Sequence, residues 1–186
     1  MRQIKISDLT MKQTGKNFSL SFREKIELAK LLDNLGASVI ELEGVGEART
    51  DALRVKSVAA AVKNSIVAVP VALRQENIDT VWNALKDAKH PRLQVVAPVS
   101  SVQMEYLYHK KPDAMQEDIR KSVAACKALC SDVEFVADDA TRSDLTFLSG
   151  VVTAAVEAGA STITVCDSAG TMLPDEFRDS VRAIRD

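Results

Sequence analysis

One pattern recurs six times along the chain and leaves few folds open. A short run rich in valine and isoleucine is followed by an amphipathic helical stretch, and the pair then repeats. The runs fall at about 4–8, 38–42, 65–72, 93–99, 133–137 and 162–166. Helical stretches begin near Ser21, cover about 51–63, 76–88, 112–130 and 144–157, and resume at Pro174. Strict alternation of this kind calls for parallel strands whose faces are covered by the intervening helices. Local chemistry marks several boundaries. Ser21 and Glu24 have the spacing of a capping box. Ile26, Leu28, Ala29, Leu31, Leu32 and Leu35 then form an apolar stripe at helical period, and Gly36 suits the left-handed residue that ends a helix. Pro174 fits the first turn of the last helix. One device occurs twice: Gly36-Ala37-Ser38-Val39-Ile40 echoes Gly159-Ala160-Ser161-Thr162-Ile163.

The 186 residues suit one domain or part of one, spanning 1–186 without a visible linker. A hydrophobic share of 46% supports a real core. The net charge of -2 and the pI of about 5.8 do not point to nucleic acid or a membrane surface as partner. No apolar run approaches the length of roughly 18 residues that reads as a transmembrane helix. Met1-Arg2-Gln3 leads directly toward the first strand without a signal-peptide apolar region. Three cysteines, an odd number, read most simply as reduced thiols of a cytoplasmic protein.

Several apolar runs end in acid: at Asp8, at Glu41 and Glu43, at Asp138 and Asp139, and at Asp167. Parallel strands bring such ends to one edge. An open doubly wound sheet would carry a Gly-rich first turn. Here that turn is Asp8-Leu9-Thr10-Met11-Lys12-Gln13-Thr14-Gly15, which has no G-x-G-x-x-G. Polar residues at many strand ends fit a TIM (β/α)8-type barrel better, because its active site draws on all its strand C-termini. About six of eight β/α units are present, so two C-terminal units are expected to be missing. Open edges on the first and sixth strands favour association into a homo-oligomer.

Four stretches together carry a family pattern. They are Ile6-Ser7-Asp8-Leu9-Thr10-Met11-Lys12; Glu24-Lys25-Ile26-Glu27-Leu28-Ala29 with Leu35-Gly36-Ala37-Ser38-Val39-Ile40-Glu41; Val133-Glu134-Phe135 with Asp138-Asp139-Ala140-Thr141-Arg142; and Ala158-Gly159-Ala160 through Asp167-Ser168-Ala169-Gly170 to Leu173-Pro174. The chain resembles the 2-isopropylmalate, homocitrate and citramalate synthases, a group that also includes hydroxymethylglutaryl-CoA lyase. The resemblance implies an acyltransferase that condenses acetyl-CoA with a 2-oxo acid in a Claisen-type reaction. It also implies a divalent metal (Mg, Mn or Zn) that polarises the oxo acid. In the family an arginine of the first loop stabilises the developing oxyanion. The metal is held by an aspartate of that loop and by a His-x-His pair on strand seven, past residue 186. The family's Asp-x-Thr-Leu-Arg-Asp-Gly reads here Asp8-Leu9-Thr10-Met11-Lys12-Gln13-Thr14. Lys12 therefore stands for the arginine and Gln13 for the aspartate. Gln103 stands where a histidine is common after strand four. Glu41, Asp139, Arg142 and Ser168 match polar family positions. The contrasting reading is a catalytically inert relative that binds a small carboxylate or a partner chain.

Each candidate has a plainer role beside the functional one. Lys12 and Glu41 are the catalytic candidates, Gln13 a metal ligand, and Asp8, Gln103, Asp139, Arg142 and Ser168 substrate-binding residues. Asp8 equally suits a turn cap, and Lys12 a solvated loop. Asp138, Asp139 and Arg142 suit a surface ion pair, and Ser168 a turn or cap. Cys126 and Cys130, four apart on a helix, read as buried thiols rather than ligands, and Cys166 reads as packing. His109, in Tyr108-His109-Lys110-Lys111, lies either near a CoA phosphate or in a solvated basic loop. His90 reads as a turn residue and Trp82 as core packing.

Overall fold

The computed structural model describes residues 4–13, 19–46 and 49–185. The expectations for Met1-Arg2-Gln3, Thr14 and Gly15 lie outside the described residues. Six strands are hydrogen-bonded in chain order, β1 through β6. They are β1 Ser7–Asp8, β2 Val39–Glu41, β3 Ile66–Val71, β4 Pro91–Pro98, β5 Val133–Asp138 and β6 Thr162–Val165. The helices are α1 Phe22–Leu35, α2 Arg49–Ala61, α3 Gln75–Leu85, α4 Ser101–Tyr106, α5 Pro112–Leu129, α6 Leu145–Glu157 and α7 Pro174–Arg185. The chain forms two compact units, residues 1–71 with 76–93, and residues 72–75 with 94–186.

In the first unit β1, β2 and β3 run parallel, with Ser7 opposite Val39, Asp8 opposite Ile40, and Glu41 opposite Ala68. Ser21 caps α1 in a complete capping box, its side chain accepting from the Glu24 N–H while Glu24 accepts from the Ser21 N–H. Gly36 ends the helix at φ 89°. The expected apolar stripe is narrower than its sequence period. Ala29 and Leu32 are buried, whereas Leu31 and Leu35 are exposed. Between them on the buried side sits Asp33, only 6% exposed. Its carboxylate accepts the backbone N–H groups of Lys63 at 2.9 Å, Asn64 at 2.9 Å and Ser65 at 2.7 Å, and the Ser65 hydroxyl at 2.9 Å. It thereby ties α1 to the turn between α2 and β3. Strand β1 is shorter than its apolar pattern suggests. Ile4 and Ile6 are exposed, and only Ser7 and Asp8 pair as strand.

In the second unit β5 and β6 are parallel, with Glu134 opposite Thr162 and Val136 opposite Thr164. Phe135 and Ala137 alternate onto the opposite face and are fully buried. On the other face the Glu134 carboxylate accepts from the Gln94 amide at 3.0 Å and the Thr164 hydroxyl at 2.5 Å. Such a buried acid is tolerated because each oxygen has a donor. Helix α4 has no counterpart in the sequence reading. It is six residues long, capped by Ser100, whose hydroxyl accepts from the Gln103 N–H at 3.3 Å.

The repeated Gly-Ala-Ser segments do the same work in both units. Gly159, like Gly36, takes a left-handed conformation, here at φ 111°. Ser38 N–H donates to the Ile6 carbonyl at 3.0 Å, and the Ile6 N–H returns to Ser38 Oγ at 3.2 Å. Ser161 N–H donates to the Val133 carbonyl at 2.8 Å, and the Val133 N–H returns to Ser161 Oγ at 3.2 Å. Each serine thus brackets the start of the preceding strand in the sheet.

Candidate functional site

The sequence candidates fall into two groups, one in each unit. In the first unit, β1 runs into a 3₁₀ turn, Thr10–Lys12. Asp8 begins this turn. Its two oxygens accept from the Thr10 N–H at 3.0 Å and the Thr10 hydroxyl at 3.1 Å. That is the turn-capping role, so Asp8 shapes the loop that carries Lys12. Glu41 ends β2 and is buried, 8% exposed. Lys12 Nζ donates to Glu41 Oε2 at 2.5 Å, and Ser7 Oγ donates to Oε1 at 2.7 Å. Strand register explains the contact with Ser7. Ser7 lies opposite Val39, and Glu41, two residues on, shares its face. Gln13 is exposed and donates its backbone N–H to the Thr10 carbonyl. Beyond β2, Glu43 receives Lys25 at 2.7 Å and Arg54 at 3.2 Å, and Asp51 accepts the Gly46 N–H at 3.1 Å. These contacts anchor the loop that follows Glu41.

In the second unit the chain turns sharply after β5. Asp139 adopts φ 58°, a left-handed conformation that aspartate tolerates better than most residues. The turn buries its carboxylate completely and aims it at Arg142, whose Nε and Nη2 donate at 2.8 and 2.6 Å. Ser100 Oγ adds a third donor at 2.5 Å. Paired mainly with the guanidinium, Asp139 titrates below the usual carboxylate range despite its burial, and Arg142 is correspondingly raised. Asp139 and Arg142 therefore form a bidentate pair with one buried partner, not a surface pair. Ser168 Oγ accepts the Asp139 N–H at 3.0 Å and donates to Asp138 at 2.5 Å, which locks the loop after β6 to the end of β5. Asp167 accepts from Thr141 Oγ1 at 2.6 Å and from the Met172 N–H at 3.0 Å, and these bonds lower its pKa. Gln103 is half-buried on α4, one turn from the Ser100 that touches Asp139.

Other expectations sort plainly. Cys126 and Cys130 are buried, and burial, with Cys130 nearby, pushes the Cys126 thiol up to about 12. Cys166 and Trp82 are half-buried. His109 is exposed at φ 52°, and the neighbouring Lys110 pairs with Asp118. Sequence reasoning missed Ser7, Ser100 and Thr141. Each is a hydroxyl donor to a carboxylate that was recognised. Ser7 meets Glu41 only through the register that sets it opposite Val39, which the sequence does not carry.

The described elements are those of a β/α fold of the TIM-barrel type, six units long, with polar side chains at the C-terminal ends of the strands. The HMGL-like family profile matches residues 3–186, and the chain belongs to that family. A 2-isopropylmalate synthase of Carboxydothermus hydrogenoformans is 35% identical over 183 residues, covering 97% of this chain and 36% of that protein. The 2-isopropylmalate synthase of Caulobacter sp. strain K31 is 38% identical over 176 residues, covering 94% and 34%. The chain thus spans about a third of the length of the curated relatives it matches. Among solved structures, hydroxymethylglutaryl-CoA lyase from Pseudomonas aeruginosa superposes with a TM-score of 0.71 at 14% identity, covering 97% of this chain and 61% of that one. The HMG-CoA lyase from Brucella melitensis gives 0.72 at 15%, covering 99% and 68%.

The family resemblance implies a divalent metal with part of its ligand set expected past residue 186, and the described first-loop residues do not fit the ligand expected of that loop. In the first loop both Asp8 oxygens accept from Thr10, and both Glu41 oxygens accept from Ser7 and Lys12. Gln13 can offer only a neutral amide oxygen, whereas divalent cation sites are built largely from charged carboxylates.

Proposed function

We propose that this chain is part of the catalytic barrel of an acyltransferase of the 2-isopropylmalate and homocitrate synthase type, which joins the acetyl group of acetyl-CoA to a 2-oxo acid. In that reaction the acetyl methyl group loses a proton, and its carbon bonds to C2 of the oxo acid. The resulting alkoxide gains a proton, and water then cleaves the thioester to release CoA thiol. In this reading the Lys12 ammonium donates to the oxo acid where negative charge develops, and Glu41 holds Lys12 in place. Ser7 fixes Glu41, and Asp8 shapes the loop. The second unit, taken by itself, offers Arg142, oriented by Asp139, as a donor suited to a carboxylate, with Ser168 and Gln103 as polar residues of the same unit. The observation that carries the reading is the 2.5 Å Lys12–Glu41 contact at the C-terminal ends of β1 and β2, where this fold places its chemistry. The long matches to 2-isopropylmalate synthases support it.

The test is thiol release from acetyl-CoA across a panel of 2-oxo acids. It is run on the 186-residue chain and on the full product of its gene. Release that depends on the oxo acid and is lost in Lys12→Met supports the reading; no release from either protein defeats it. A second reading, a relative that binds a small carboxylate without turning it over, is favoured by the exposed, uncharged Gln13. It predicts saturable binding of pyruvate with no thiol release.

A further inference from the structure

We infer that the first loop holds its 2-oxo acid without a divalent cation, with the Lys12 ammonium as the resident positive charge. The inference rests on the proposed function for its ligand class, and on the geometry of the loop for everything else.

Four carboxylate oxygens lie at the ends of β1 and β2, and each already receives a donor. Asp8 Oδ1 and Oδ2 take the Thr10 N–H and hydroxyl at 3.0 and 3.1 Å. Glu41 Oε1 takes the Ser7 hydroxyl at 2.7 Å, and Oε2 takes Lys12 Nζ at 2.5 Å. A cation approaching Glu41 would have to displace an ammonium of like charge from a carboxylate that is mostly buried. Asp8 could turn toward a cation only by giving up the turn that positions Lys12. Gln13 brings no charge to offset either cost. The loop therefore disfavours a metal at the place where it already carries a cation of its own.

Lys12 is suited to the role that remains. Its side chain is 25% exposed, and its ammonium is held by Glu41. An ammonium has three N–H donors, and a lysine is a compact point charge that needs no planar counterpart. The pair with Glu41 is neutral as a unit, which predicts modest affinity and only weak dependence on salt rather than tight capture. Glu41 makes Lys12 a fixed donor rather than a mobile one, which lowers the ordering cost of binding.

The experiment pairs two titrations on the full product of the gene that encodes this chain. Pyruvate is titrated by NMR in EDTA and again with Mg²⁺, with acetone as the control that lacks a carboxylate. Mn²⁺ is titrated separately by EPR. Expected are equal pyruvate affinities in the two conditions, no response to acetone, and no saturable Mn²⁺ binding. Lys12→Met should weaken pyruvate about tenfold, the loss expected for one charge-assisted hydrogen bond. Lys12→Arg should stay within about threefold of the parent, since the charge is kept. The double variant Lys12→Met/Glu41→Gln removes both charges together. It guards against misfolding from an orphaned carboxylate, and it should bind pyruvate as weakly as Lys12→Met. Pyruvate binding that requires Mg²⁺, or saturable Mn²⁺ binding lost in Gln13→Ala, overturns the inference and leaves the synthase reading standing. No pyruvate binding in either condition overturns the inference, and thiol release then decides the synthase reading on its own.

Discussion

Replacing Asp33 with asparagine should unsettle the first unit more than any other single-atom exchange in it. The carboxylate gathers three consecutive backbone N–H groups, from Lys63, Asn64 and Ser65, and the Ser65 hydroxyl. Burial pulls its pKa upward, but these four donors outweigh it and hold the group at about 2, against an ordinary 3.8. At about 1.4 kcal/mol per pKa unit, that difference corresponds to about 2 kcal/mol of folding stability carried by the charge. Asparagine keeps one acceptor oxygen and turns an NH2 toward N–H groups that need acceptors. The expected loss at pH 7 is therefore about 2–4 kcal/mol. For a chain of this size that is a fall of roughly 5–15 °C in Tm. The sign with pH follows from a depressed native pKa. The contribution is full above the unfolded value near 3.8 and is lost as pH falls toward 2, with about half gone by pH 3. Urea titrations at pH 7, 5, 4 and 3, followed by the fluorescence of Trp82 in the same unit, measure both quantities. Asp33→Asn should start lower and lack this component of the acid-induced decline. Equal stability at pH 7, or an unchanged decline between pH 5 and pH 3, would refute the reasoning.

Three further outcomes are expected. Arg142→Met leaves the buried Asp139 with Ser100 as its remaining side-chain donor, and should cost about 2–4 kcal/mol in urea unfolding, with Arg142→Lys recovering part of the loss. Gly36→Ala should cost about 1 kcal/mol from its φ of 89° alone, since a Cβ there meets nothing within 4 Å; Gly159→Ala should cost more, about 2 kcal/mol, because its Cβ would lie 2.7 Å from Lys127 Cγ at φ 111°. Thermal melts of the two variants side by side check the order. Cys126, with its thiol pushed up to about 12, should resist alkylation at pH 8 by a factor of about 10³ relative to the urea-unfolded chain, as read by peptide mass spectrometry after timed iodoacetamide labelling.

The parts of the fold that sequence revealed are those governed by neighbours along the chain. Ser21 and Glu24 cap each other three residues apart, and Gly36 and Gly159 end their helices locally, so their roles can be read without a third dimension. The alternation of β and α segments gave the fold type for the same reason. Asp33 was invisible because its partners are backbone groups about thirty positions away, and backbone leaves no residue-type signature. Helix α4 was missed because six residues capped by Ser100 are too few to show a period. Leu31 and Leu35 were assigned to the core by period, yet only one side of α1 is covered, and the buried side admits an acid. At the candidate site the carboxylates stood out as acids closing apolar runs. Their donors Ser7, Ser100 and Thr141 did not, since serine and threonine are common in any loop. For Asp139 the sequence offered a surface ion pair with Arg142 beside a substrate-binding role, and the left-handed turn after β5 puts its carboxylate inside.

The two serine brackets have a consequence for how this chain can vary. Ser38 and Ser161 fasten neighbouring strands where those strands begin, through paired bonds to the backbone of Ile6 and Val133. Alignment is thereby settled at the entry ends of the strands, away from the exit-side loops that bear Lys12, Gln13 and Ser168. Substitutions in the exit-side loops therefore need not disturb strand alignment, although pairs such as Arg142 with the buried Asp139 still carry stability of their own.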